Sequence, residues 1–595
     1  MTRGRAAALP APALLACLLL ALGPGISAAQ VPDFPPGPPM RFSGRMGAHF
    51  ELYGISGRIP QRPSSTGRLF LDSRMTLFGS VSMSVSALLS TEGSSAIGTA
   101  ASRRQQLNQI GLNPRWDWGR AYLGAFSDSY SPLTWNGVQV QGAGFAIDPG
   151  PLRIAAFGGR SQRSVTGGAT GGAYARTMWG GRIGVGDGAD GGERGSHLDV
   201  IFLRAADDVS SLAPPPVPVD SQPQDLFADT FPSAPENRQA VTPQENVVLG
   251  TAGSLELLGD ALHLQGQVSG AIYTRDRRAS NLDPATLDRY PGLLKDVITP
   301  RVSTTADYAY TAQARYRIDR LPGGTDRSPR SLDLTARYRY VGPGYVSLGA
   351  PSLLADQQAA ELRSRLRFRT WSLGLSGLRQ HDNLIGQKQA TTTRDRLAGT
   401  FSYRPGRRWT ASFRGTFLTM SNDAEDPDRL VDYTNWIGET RQTLRFGRTG
   451  LLRSASIRYA FRTSSDAGAR GPSSDLIAHT VGLRTTVMPV KRVSVSASVG
   501  LVESRSGRDP WRARATYGLT GRYAPADARW SLGASAYRAA LEGATSTRFA
   551  LSSRFRVIAK TSIDLRLRSN LIRNDTGDRP DSDEFTLSLD LRREL

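Results

Sequence analysis

Four arginines at alternate positions, Arg363, Arg365, Arg367 and Arg369, are the most conspicuous chemical feature of the sequence. Guanidinium groups two residues apart share one face of an extended strand, where they repel one another unless acids or bound anions intervene. The same spacing recurs in Arg315 and Arg317, Arg337 and Arg339, and Arg566 and Arg568. In a water-filled passage such rows would concentrate anions and exclude cations. Alternatively, acids such as Asp307, Asp333 and Glu361 neutralise them and merely hold a wet wall together. Few acids lie beside the rows, so part of the charge is expected to stay uncompensated.

Other reactive groups are sparse. The five histidines, His49, His197, His263, His381 and His479, stand far apart, and none has a second histidine at metal-ligand spacing. A Ser/His/Asp hydrolase would need a fold that gathers distant residues at one rim. Cys17, the single cysteine, lies inside an N-terminal apolar run, so the mature chain is expected to carry no thiol, which excludes disulfides and cysteine-based zinc sites or nucleophiles. The stretch Gly167 to Gly172 lacks the lysine and the helix that phosphate cradling requires. The acid-rich segments Asp423 to Asp428 and Asp575 to Asp583 lack the spacing of a calcium loop and read as solvated loops, able to bridge lipid phosphates through divalent ions. No catalytic, metal or cofactor site is expected, and no enzymatic activity.

The elements that would carry the arginine rows are strands. From about residue 41 to the C-terminus the dominant period is two. Ala306, Tyr308, Tyr310, Ala312, Ala314, Tyr316 and Ile318 alternate with Asp307, Thr311, Gln313, Arg315 and Arg317. Leu332, Leu334, Ala336 and Tyr338 alternate with Asp333, Thr335 and Arg337, and Ile563, Leu565 and Leu567 with Asp564, Arg566 and Arg568. Short turns, as at 78–80, 148–150 and 258–260, alternate with longer polar loops, as at 129–136, 161–173, 208–246, 278–301, 342–357 and 381–390. That order is produced by an up-and-down meander whose rims face different compartments.

About 24–26 strands are expected. An open sheet of that width leaves two unpaired edges and one apolar face; closure removes the edges, and lipid covers the face. A soluble propeller or a stack of sandwiches is the competing architecture, but no blade-length repeat or second apolar face is visible. The expected fold is all-β, a transmembrane antiparallel up-and-down β-barrel over residues 41–595.

The N-terminus supports export. Arg3 and Arg5, an apolar stretch to Leu22 and the small residues Ser27, Ala28 and Ala29 make residues 1–29 a signal peptide, cleaved after Ala29. Residues 30–40 form a proline-rich periplasmic arm, too short to supply a plug or a periplasmic domain. The chain carries a formal net charge of +21, and all but four of its 73 basic residues are arginine. These are dispersed along strands in an exported chain, so nucleic-acid binding is not expected.

Together the signal peptide, the alternation, the unequal rims and the strand-end aromatics Trp116, Trp118, Trp371, Trp409 and Trp530 resemble a bacterial outer-membrane β-barrel protein. The block Gln106 to Arg160, with Asn108-Gln109-Ile110-Gly111-Leu112-Asn113-Pro114 and Gly142-Ala143-Gly144, is similar to a set of uncharacterised outer-membrane barrel proteins. The resemblance implies a cell outer membrane location in contact with lipid and lipopolysaccharide, and insertion by the barrel-insertion machinery. The last residue is Leu595, where such barrels often end in an aromatic residue.

The longest loop, 208–246, is acidic and proline-rich. Its run Pro214-Pro215-Pro216-Val217-Pro218 favours a stiff extended segment. It is expected either outside the cell or folded into the lumen, where Asp220, Asp225, Asp229 and Glu236 would pair with the arginine rows and constrict the passage. The functional expectation is a porin-like, Arg-lined, anion-preferring pore for passive or selective passage of a small anionic solute. The alternative is an occluded structural or assembly component that binds partner proteins through its loops or its N-terminal arm. Sequence leaves the oligomeric state open.

Overall fold

The computed structural model describes residues 40–595 except 61, 92–108, 166–171, 187–194, 213–240, 283–297, 320, 322–329, 448–449, 469–474, 526–528, 542, 559 and 575–579. The expected signal peptide, all of the arm but Met40, and the four proposed constriction acids Asp220, Asp225, Asp229 and Glu236 lie outside the described residues.

The chain runs through β1 (Met40–Ser56), β2 (Ser65–Leu77), β3 (Val81–Ser90), β4 (Gln109–Trp116), β5 (Gly119–Ser129), β6 (Asn136–Ile147), β7 (Leu152–Gln162), β8 (Arg176–Gly186) and β9 (His197–Asp207). It continues through β10 (Glu245–Leu257), β11 (Leu262–Thr274), β12 (Thr304–Ile318), β13 (Ser331–Val341), β14 (Gln357–Arg367), β15 (Trp371–His381), β16 (Thr392–Tyr403), β17 (Trp409–Asn422) and β18 (Asp432–Arg445). The last strands are β19 (Leu452–Asp466), β20 (Leu476–Val490), β21 (Val493–Ser506), β22 (Arg512–Tyr523), β23 (Trp530–Leu541), β24 (Ala544–Ile558), β25 (Thr561–Asn574) and β26 (Ser582–Glu594).

Each strand pairs antiparallel with the next, and β1 pairs with β26, from Arg45 opposite Glu594 to Ser56 opposite Asp583. The 26-stranded sheet is therefore closed and leaves no edge. Connections after even-numbered strands are mostly tight, as at 78–80, 117–118, 258–261 and 491–492; those after odd-numbered strands are mostly long, as at 208–244, 275–303 and 342–356. Four connections depart from the alternation: 187–196 and 319–330 are long although they lie on the tight-turn rim, and 507–511 and 542–543 are tight although they lie on the long-loop rim. The even strand count puts Met40 and Glu594 on the tight-turn rim.

Register fixes the faces. In β12, Tyr308 is exposed while its neighbour Ala309 is fully buried, so successive side chains alternate between the outer and the inner wall. Buried apolar residues are concentrated inside the barrel from β5 to β13. A barrel this wide has an interior that wall side chains alone do not fill, so something else must cover them.

Candidate functional site

The outer wall is apolar and wet by nothing the chain supplies. Leu249, Val268, Leu362, Leu397, Leu483 and Leu551 all stand exposed on it. Aromatic pairs mark the tight-turn rim: Trp116 against Trp118 (5.3 Å between ring centroids), Phe368 against Trp371 (4.2 Å), Tyr403 against Trp409 (5.5 Å) and Tyr523 against Trp530 (5.0 Å). Toward the long-loop rim a second set stands exposed, with Trp179, Tyr308 and Trp436. Two aromatic girdles flanking an apolar band match the two interfaces of a bilayer. The chain is a transmembrane β-barrel of the outer-membrane type. Among the described residues no helix is long and apolar enough to cross a membrane; strands make the crossing.

The arginine rows lie on the opposite face. A guanidinium turned to the lipid would cost roughly 2–4 kcal/mol at mid-membrane, and the register of β12, β13 and β14 puts these side chains inward. Arg315 bonds Asp333 at 2.5 Å, and Arg363 bonds Glu361 at 2.6 Å. Arg365 stands directly opposite Asp333, and Arg337 opposite Glu361, yet each carboxylate is already engaged. Among the described residues the side chains of Arg337, Arg365 and Arg367 make no hydrogen bond or ion pair. Arg317 pairs with Asp319 at 2.6 Å. Asp307 compensates none of them: its carboxylate accepts from the main-chain N–H groups of Tyr308 and Gly344. Arg369 lies beyond the strand. β14 ends at Arg367, and Arg369 falls in the turn 368–370, where strand pairing no longer fixes its direction. Arg566 approaches Asp590 at 3.6 Å, and Arg568 lines a recess with Arg548 and Glu584.

Two loops expected at the surface instead pack against the inner wall. Residues 130–135 and 342–356 cover inward-facing Phe126, Phe157, Leu203, Val248 and Ala309. Trp135 is 1% exposed and stacks on Phe157 with centroids 3.7 Å apart. The Tyr345 hydroxyl donates to the Leu133 carbonyl at 2.7 Å, and the Ser347 hydroxyl to the Thr134 carbonyl at 2.5 Å. Asn246 of β10 holds the second loop, donating to Val346 O at 2.8 Å and accepting from Leu348 N at 3.0 Å. Gly349 permits the contact, since a Cβ there would sit 2.5 Å from both Leu203 Cδ2 and Thr134 O. Burying the aromatic and aliphatic side chains contributes on the order of 1.5–3 kcal/mol each, which draws these loops inward against their closure entropy.

The second loop is clasped in turn by a third. Asp356 accepts from the main-chain N–H groups of Asn383 and Leu384 and takes the Lys388 ammonium at 2.6 Å. Burial opposes ionisation of Asp356, but Lys388 and the two N–H groups outweigh it and hold the carboxyl below the usual carboxylate range. The hydrogen bonds to Asp356 and Asp382 push Lys388 up.

A buried charged cluster sits on the inner wall of β7 to β9. Asp199 lies 3.3 Å from Arg153 and 3.8 Å from Arg182, whose guanidinium covers the Tyr130 ring. Nearby, Ser254 Oγ is 2.7 Å from His197 Nδ1, and His197 Nε2 is 3.9 Å from Asp199. This grouping of Ser, His and Asp lacks the geometry of a nucleophilic triad. The carboxylate is too far to orient the imidazole and is engaged by two guanidiniums, and the hydroxyl also contacts Gly195 O at 2.5 Å. Elsewhere, Asp426 caps the short turn 427–429 of the acid-rich loop, so a structural bond occupies one of its carboxylates.

No protein-family model matches the chain, and no curated protein matches it. Solved structures that it is similar to include the translocation pore of the P pilus usher PapC (9% identity, TM-score 0.34, covering 93% of this chain and 99% of that one). Another is the alcaligin outer-membrane receptor FauA of Bordetella pertussis (10%, 0.33, 92% and 76%). A third is OprD of Pseudomonas aeruginosa (11%, 0.28, 59% and 90%). At such scores these likenesses carry no weight for function; the architecture is fixed by the pairing of β1 with β26.

Proposed function

We propose that the barrel is an anion-preferring pore, its passage set by the inward arginines of β12 to β14 and narrowed by the loops 130–135 and 342–356. The observation that carries this reading is the imbalance on one stretch of inner wall. Asp333 and Glu361 each bond one arginine, whereas Arg337, Arg365 and Arg367 have no partner among the described residues. In a channel walled by low-dielectric protein and lipid, such uncompensated charge raises the local anion concentration. Outer-membrane lipid and lipopolysaccharide are the surroundings this reading implies, with insertion by the barrel-insertion machinery.

Reconstitution of the purified barrel into planar bilayers under a potassium chloride gradient tests it. The expected reversal potential has the sign of chloride preference. A conducting barrel with cation preference contradicts the reading. A silent barrel that copurifies with stoichiometric partner proteins supports an occluded envelope component instead, for which the interlocked loops would serve as a plug.

A further inference from the structure

An inner-face cavity of about 1420 Å³ lies away from the arginine rows of β12 to β14, between β24–β26 on one side and β1–β5 on the other. Its two walls differ in chemistry. Arg45, Arg554, Arg556, Arg566 and Arg592 project from β1 and β24 to β26; half-buried Phe70 and Leu88 project from β2 and β3 among the polar side chains of Arg68, Asp72, Gln109 and Gln139, with buried Tyr122 and Phe126 of β5 behind them. Eight basic side chains line the cavity against four acids, so the lining keeps a positive excess even if every acid is paired. Three of the four acids are engaged. Asp72 takes Arg45 at 3.2 Å, Asp564 takes Arg554 at 2.6 Å, and Asp590 takes His49 at 2.9 Å with Arg566 and Arg592 both at 3.6 Å. Lys560 reaches the main-chain oxygen of Leu595 at 3.3 Å. Among the described residues the Arg556 side chain has no hydrogen bond or ion pair.

We infer that this cavity binds an organic anion with an aromatic body, an aryl carboxylate, its carboxylate on the Arg556 wall and its ring against Phe70 and Leu88. The inference rests on the anion-pore reading and names its solute class. A guanidinium fork matches a carboxylate in two hydrogen bonds. A small hydrated anion would use only the basic wall and leave the aromatic wall wet. A ring against Phe70 and Leu88 removes apolar surface from water on both partners and adds an offset or edge contact with the Phe70 ring. The cavity volume exceeds the usual size of a small-molecule pocket, so the solute is expected to be held loosely and to pass on, as a transport intermediate must.

Isothermal titration of the full-length barrel in detergent, blanked against detergent alone, with sodium benzoate, sodium acetate and inorganic phosphate tests the site without requiring conduction. Benzoate is expected to bind saturably and about tenfold tighter than acetate or phosphate. Arg556→Gln should weaken benzoate by about tenfold, the loss of one charge-assisted contact. Phe70→Ser should weaken benzoate while leaving phosphate unchanged. Heat-modifiable migration on gels confirms that each variant is a folded barrel. Benzoate binding no tighter than acetate or phosphate overturns the aryl carboxylate, and benzoate binding unchanged in both variants overturns the site. Chloride selectivity in bilayers reports separately: a chloride-selective barrel without benzoate preference overturns only this inference, and benzoate binding by a non-selective barrel overturns only the pore reading.

Discussion

The hydroxyl of Tyr345 donates to the carbonyl of Leu133 at 2.7 Å, across 212 residues of sequence. The bond ties together two loops that leave the sheet at β5 and β13. Both partners are buried, so removing the hydroxyl leaves a carbonyl unsatisfied at a cost of about 1–3 kcal/mol. Tyr345→Phe is therefore expected to keep the barrel folded but to loosen the loops. Hydrogen exchange should rise at 130–135 and 342–356, and single-channel records should show larger current fluctuations. Unchanged exchange at both loops would show that apolar packing alone fixes them.

Burial also pushes the Tyr345 and Tyr130 hydroxyls well above the usual tyrosine range. A group whose folded pKa is raised contributes stability present below its unfolded value, about 10, and lost as pH rises through the folded value. The two loops are thus expected to stay docked up to pH 10 and to open only in stronger alkali. Hydrogen exchange, corrected for its intrinsic pH dependence, should show flat protection at 130–135 from pH 6 to 10.

The Asp356 and Lys388 clasp has the complementary window. Asp356 is held below its usual range, so its contribution is present above about pH 4 and is lost as pH falls through the lower folded value. Lys388 is raised, so its contribution persists below about pH 10.4 and is lost above the folded value. Asp356→Asn should expose 382–391 to proteolysis at neutral pH. Lys388→Met should do so more weakly, because the N–H groups of Asn383 and Leu384 still hold the carboxylate. Equal cleavage of both variants would assign the clasp to the ion pair alone.

Asp199 predicts a larger effect. It is 2% exposed and faces two guanidiniums. Asp199→Asn leaves buried Arg182 without a carboxylate partner and Arg153 with only Asp148 at 4.0 Å, and breaking a buried pair costs roughly 3–5 kcal/mol in comparable sites. The temperature at which the barrel loses its folded gel mobility should fall clearly, whereas replacing half-exposed Asp395, whose one ion pair is with exposed Arg379 at 3.8 Å, by Asn should leave it nearly unchanged.

How far the sequence showed these features follows from the range of the interactions. Alternation in Ala306 to Ile318 exposed both faces of a strand, because side-chain direction depends only on parity. Closure followed from the cost of edges, and the inward turn of Arg315, Arg337 and Arg363 from the cost of charge in lipid. The segments 129–136 and 342–357 read as polar surface loops because turn residues such as Pro132, Asn136, Pro343 and Gly344 mark them. Their burial depends on contacts between distant strands that no local window contains. Trp135 and Tyr345 were the available signal: large aromatics in loops otherwise built for solvent. The approach of Arg556 to Phe70 across one cavity was likewise hidden, since it depends on closure of β26 on β1.

The arginine rows allow a prediction of opposite signs. Arg365 and Arg367 have no partner among the described residues, so Arg365→Ser with Arg367→Ser removes charge without stranding an acid, and the altered atoms face the interior water. Chloride over potassium permeability should fall in this double variant. Glu361 bonds Arg363 at 2.6 Å, so Glu361→Gln frees that guanidinium, and chloride preference should rise. Both shifts should shrink between 0.1 M and 1 M salt, because the screening length contracts from about 10 Å to about 3 Å. Reversal potentials of the wild type and the two variants, taken at both ionic strengths, measure all of this. Shifts of the same sign in both variants would mean that pore width and not wall charge had changed, and the selectivity would then have to be sought at the loops.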